Sequence, residues 1–154
     1  MSNAFFALLL LMASPQSGTF KKEMGPLQAA VDGLVASTGS QVLQKSMAAY
    51  LDGYGIVVTL EVAFETPQNP FSGYKTAAEV RTLVAQHRKD VREKITAFLT
   101  QRVGMTESLA SAESLTIIMH VLNTNPADVP NSPIQILMTV KKDSPQPVAF
   151  KELF

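Results

Sequence analysis

Residues 50–64 (YLDGYGIVVTLEVAF) join an aspartate and two glycines to a long run of strand formers, and this stretch narrows the fold most. Successive side chains of an extended strand point to opposite sides. Ile56, Val58, Leu60, Val62 and Phe64 therefore share an apolar face, and Val57, Thr59, Glu61 and Ala63 share a mixed one. Glycine adopts backbone angles that clash for other residues, so residues 52–55 read as a tight turn or bulge, with Tyr50 and Tyr54 at a strand end. Val42, Leu43, Met47, Ala48 and Ala49 fit helical spacing, but the turn makes residues 41–51 the economical hairpin partner of 56–64.

Two helices flank this hairpin in the sequence. Over residues 23–36, Leu27, Val31, Leu34 and Val35 recur at helical spacing, with Gly25 and Pro26 at the expected start and the cluster at 37–40 at the end. Thr76 and Glu79 have the spacing of a capping box, in which hydroxyl and carboxylate satisfy free amides at a helix start. From there to Arg102, Val80, Leu83, Val84, Val91, Ile95, Phe98 and Leu99 form a continuous apolar stripe. His87 falls beside that stripe and reads as a boundary histidine with one hydrogen bond. The charge run over 88–94 mixes signs and reads as a solvated face.

The remaining chain supplies strands and loops. Residues 65–73 carry two prolines, an asparagine and a glycine, and read as a loop that Phe71 plugs into the body. Leu115, Ile117, Met119 and Val121 alternate with Thr116, Ile118, His120 and Leu122, which predicts a central strand. After a loop with three prolines, Ile134, Ile136, Met138 and Val140 alternate with Gln135, Leu137, Thr139 and Lys141. The charged exit and Pro145 suit an edge strand. Residues 146–154 are a short tail with Val148, Phe150 and Phe154 as anchors. The order predicts an α+β fold of pattern αββαββ, with a four-stranded, mainly antiparallel sheet and both helices on one face. Thr59, Glu61, Thr116, Ile118, His120, Leu122, Leu137 and Thr139 then share the second face.

Composition bounds the function. A length of 154 residues with 46% hydrophobic content suits one globular domain. Thirteen basic residues balance thirteen acidic ones, so no overall field favours nucleic acid, and no nucleic-acid partner is expected. The absence of cysteine removes disulfides, thiolate metal sites and a cysteine nucleophile. Residues 5–13 (FFALLLLMA) are an uncharged run of signal-peptide length, too short to span a bilayer, with small residues following. Residues 1–18 are thus expected to be a signal peptide and 19–154 a single α+β domain, periplasmic or secreted, with no stable transmembrane anchor.

No pattern for zinc, EF-hand calcium, a phosphate loop or a nucleophile elbow occurs, and no metal or cofactor is expected. Two arrangements remain as ligand-binding candidates. Glu61 and His120 fall on the second face of neighbouring strands, where a carboxylate beside an imidazole can act as acid and base. A polar cross-strand pair is the plainer reading. Tyr50 and Tyr54 would flank a groove at the glycine turn, or serve packing. The expectation is a non-enzymatic binding or protein-interaction module that meets a protein partner or another copy through the second face or an edge strand. A small hydrolase or isomerase using Glu61 and His120 is the alternative.

Overall fold

The computed structural model describes residues 15–66, 71 and 73–154; the apolar run at 5–13 lies outside the described residues. Helix α1 (Pro15–Ala36) leads into strands β1 (Gln41–Leu51) and β2 (Gly55–Ala63), followed by helix α2 (Ala77–Met105). Strands β3 (Ser114–Val121), β4 (Gln135–Lys141) and β5 (Ala149–Leu153) complete the order. The five strands form one sheet in chain order, antiparallel except for the parallel pair β2 and β3. No helix among the described residues is long and apolar enough to cross a membrane.

The α+β class and the hairpin stand, but the sheet is mixed and five-stranded where four mainly antiparallel strands were expected. Helix α2 has 29 residues, about 43 Å at a rise of 1.5 Å each, and so carries the chain back along the whole of β2. The next strand then starts where β2 started and runs parallel to it. The fifth strand arises because the proline-containing segment after Lys141 turns the chain, and residues 149–153 pair with β4. The edge expected at β4 is therefore β5, with β1 at the other side.

Helix α1 also starts earlier than expected. Pro26, read as a first-turn proline, lies inside the helix and is exposed. The turns before it are held by tertiary contacts: Phe20 packs against the core, and Glu23 accepts the Glu107 and Ser108 amides at 2.8 and 3.2 Å. These anchors offset the backbone hydrogen bond that proline removes. Helix α2 follows its sequence signals closely, with the complete Thr76–Glu79 capping box and Val80, Val84, His87, Val91, Ile95, Leu99 and Val103 buried.

One core joins Leu27, Val31 and Val35 of α1, the buried stripe of α2, and one face of the sheet through Ile56, Val58, Leu115, Ile117 and Met138. Both helices therefore cover the same side. His87 is buried and donates from Nδ1 to the Phe64 carbonyl at 2.7 Å, as a boundary histidine should. Phe71 is not a plug, because its side chain is 94% exposed. Phe64, Val80 and Val129 are the buried apolar residues at that end of the core. The charged face of α2 is only partly solvated: Arg88 pairs with Glu152 at 2.5 Å, and Arg92 stacks over the Phe150 ring at 4.0 Å.

Candidate functional site

The side of the sheet away from the helices is the candidate site, and strand register fixes its layout. Met47 aligns with Thr59, which aligns with Ile118, Leu137 and Lys151 across β1 to β5. One row toward the turn, Ala49, Val57, Thr116, Thr139 and Ala149 align in the same way. One row the other way, Gln44, Glu61, His120, Gln135 and Leu153 align. The face is thus apolar and hydroxylic toward the glycine turn and polar toward the opposite end.

The glycine turn shapes the apolar end. Gly53 and Gly55 have positive φ of 73° and 119°, and Gly55 lies against Ser114, whose amide donates to the Tyr54 carbonyl at 2.9 Å. A side chain at Gly55 would meet the Ser114 backbone oxygen at 2.1 Å, so only glycine allows this approach. The turn aims Tyr54 across β3, where its hydroxyl shares a hydrogen bond with Thr116 at 3.1 Å. Thr116 in turn shares one with Thr139 at 3.0 Å. Bracketed by these two hydroxyls, Thr116 is 1% exposed although neither described helix covers its side.

The four sequence candidates divide between the two faces. Tyr50 aligns with the core residue Ile56, packs its ring on Phe20 with centroids 6.1 Å apart, and donates its hydroxyl to Glu113 at 2.6 Å. It does not share a groove with Tyr54, which lies on the uncovered side. The hydrogen bond to Glu113, then desolvation and nearby carboxylates, push the Tyr50 phenol up to about 12. Tyr54, Glu61 and His120 do share the uncovered face.

Glu61 and His120 are direct register partners, and both are exposed. They line a shallow hollow of about 200 Å³ with Gln44 and Met47. His120 Nδ1 lies 3.4 Å from the Gln135 side-chain nitrogen, and no ion pair joins it to Glu61. Among the described residues no cluster of three or more metal-ligating side chains occurs.

No protein-family model, curated protein or solved structure matches the chain. The site's chemistry rests on its own residues.

Three features escaped the sequence reading. Met47 and Leu51 join the uncovered face because the hairpin register pairs them with Thr59 and Gly55, an alternation that has to be carried across the turn into β1 to be read. Gln44 and Gln135 flank the Glu61–His120 pair, a placement fixed by register. The third is a groove of about 1110 Å³ between α2 and residues 146–150, formed only once β5 pairs.

Proposed function

We propose that this chain is an exported, non-enzymatic binding module that holds a protein partner against the uncovered face of its sheet. The observation that supports the reading is the contrast between the two sides. Both helices pack on one, whereas the other exposes Met47, Leu51 and Tyr54 at 62%, 49% and 45%. Isolated exposed apolar residues are ordinary, but three near one another beside Ala49 and Val57 mark an interaction surface. Five strands about 4.8 Å apart and about seven residues long at ~3.3 Å each present a face of order 20 Å by 20 Å. That suits a small interface.

A second copy of this chain is the simplest occupant, and the absence of native cysteine makes the test clean. Thr59→Cys puts one thiol on the face beside the exposed Met47. Mass by light scattering, disulfide trapping and thiol labelling then report on coverage. A dimer that the disulfide traps and that Met47→Lys prevents, or protection of the thiol in envelope extract, fits the reading. A strict monomer whose thiol labels equally fast in buffer and extract sinks it. The apolar run at 5–13 supports export, and a cytoplasmic product with residues 1–18 intact would refute that part.

The Glu61–His120 register favours one alternative, a small hydrolase or isomerase in which the imidazole is the base and the carboxylate orients it. Turnover of ester or enolisable substrates, abolished by His120→Gln and reduced by Glu61→Gln, would support it. Turnover indifferent to both substitutions rejects it.

A further inference from the structure

Among the described residues strand β5 ends the sheet and pairs with β4 alone, so its outer backbone groups face no described strand. The same edge borders the groove of about 1110 Å³, walled by Thr96, Ala97 and Thr100 of α2 and by Pro147, Val148 and Phe150. A second hollow of about 290 Å³ shares Lys89, Arg92 and Phe150 with it and continues toward Arg88 and Glu152. In a strand added to β5, alternate side chains would face α2 and drop into this groove. The edge and the groove are therefore parts of one surface.

The charges along this surface select an acidic occupant. Glu152 is already engaged by Arg88, and Lys89 lies 4.0 Å from Glu93 in a mostly solvated pair. Among the described residues, Arg92 lies over Phe150 with no carboxylate at ion-pair distance, and the buried Arg88 Nε has no hydrogen-bond partner. The other edge, β1, is a poorer template: its two register shifts break the ladder, and Lys45 sits within the second.

We propose that the free edge of β5 and the α2 groove together bind an extended acidic peptide segment of a partner protein, which adds to the sheet as a sixth strand. Backbone pairing with β5 supplies the affinity. Apolar side chains at every second position fill the groove beside Ala97, Val148 and Phe150, and a carboxylate meets Arg92. This surface is separate from the uncovered sheet face, so either site can fail without the other.

The test titrates the folded protein with a fluorescein-labelled octapeptide alternating valine and glutamate. Its lysine counterpart and two N-methylated forms, one blocking each alternate set of amides, serve as comparisons. Ala97→Gln fills the groove from an exposed helical position without adding charge, Arg92→Glu reverses the charge, and thermal melts confirm that both variants fold. The glutamate peptide is expected to bind and shift β5 amide resonances, and each variant to weaken it by about tenfold or more. Only one N-methylated form should retain binding, the lysine peptide should not bind, and Met47→Lys on the other face should change nothing. Unimpaired binding to Ala97→Gln, equal affinity for the lysine peptide, shifts centred on β1, or no binding of the glutamate peptide overturns the proposal.

Discussion

Tyr50 donates its hydroxyl to Glu113 Oε1 at 2.6 Å, tying edge strand β1 to the residue before β3, across the intervening β2. The other Glu113 oxygen accepts the Ala110 amide at 2.8 Å, so one buried carboxylate holds both the edge strand and the loop after α2. This link, on the helix side, supports the turn that presents Tyr54 on the opposite side.

Replacing Tyr50 by Phe keeps the ring on Phe20 but leaves Glu113 Oε1 without this donor. The expected loss is about 1–2 kcal/mol in urea unfolding at neutral pH. The folded-state phenol titrates near 12, above its ordinary value of 10, so its contribution is complete below pH 10 and disappears as pH rises toward 12. The Tyr50→Phe protein should lack that component of alkaline destabilisation. An unchanged alkaline limb would show that the hydroxyl does not hold β1.

The two turn glycines should respond differently to alanine. A Cβ at Gly55 would lie 2.1 and 2.7 Å from Ser114 backbone oxygen and nitrogen, at a φ of 119°. Neither backbone atom can move without parting β2 from β3, so Gly55→Ala should cost about 3 kcal/mol or more. At Gly53 a Cβ meets nothing within 4 Å, and only the left-handed φ of 73° opposes it. Gly53→Ala should therefore cost about 1–2 kcal/mol. Denaturant midpoints measured side by side check the order, and equal losses would contradict the close approach at Gly55.

This turn also shows what was legible in the sequence. Its glycines, the strand alternation from Ile56 to Val62 and the Thr76–Glu79 box act within a few residues, and each appears where local chemistry places it. Strand β5 was not legible, because Phe150, Lys151 and Glu152 carry no clear strand pattern, and their hold on the fold comes from the ladder to β4 and from Arg88 and Arg92 on α2. The start of α1 was misplaced for the same reason, since a local proline rule ignores the distant partners of Glu23. The shared face of Glu61, His120 and Tyr54 followed from alternation, whereas Tyr50 went to the other face through the parity of β1.

Glu23 supplies an acid-side prediction. Burial opposes its charge, but the Ser108 hydroxyl, the Glu107 and Ser108 amides and the nearby Arg102 outweigh it and hold the carboxyl below its ordinary 4.5. A depressed carboxylate contributes stability that is complete above the unfolded value and is lost as pH falls through the folded one. Glu23→Gln should lower stability at neutral pH by about 1 kcal/mol, and its further loss as pH falls below the ordinary 4.5 should be smaller than that of the parent. Parallel acid limbs for the two proteins would show that Glu23 is not the anchor of residues 107 and 108.

The dependence of β5 on α2 gives the last prediction. Arg88 donates to Glu152 at 2.5 Å with both side chains about a quarter exposed, at 27% and 23%, so water only partly screens the pair. Arg88→Ala strips β5 of its ionic tie while leaving Phe150 under Arg92 and the ladder to β4 in place. A local loss of about 1–2 kcal/mol would raise the open population of β5 about 5- to 30-fold. Amide exchange in residues 149–153 should accelerate by that factor, with β3 amides unchanged, because β3 is held by ladders on both sides, to β2 and to β4. Equal acceleration in β3 would mean that Arg88 supports the whole fold, and no acceleration in β5 would mean that backbone pairing and the Arg92–Phe150 stack suffice to hold the edge.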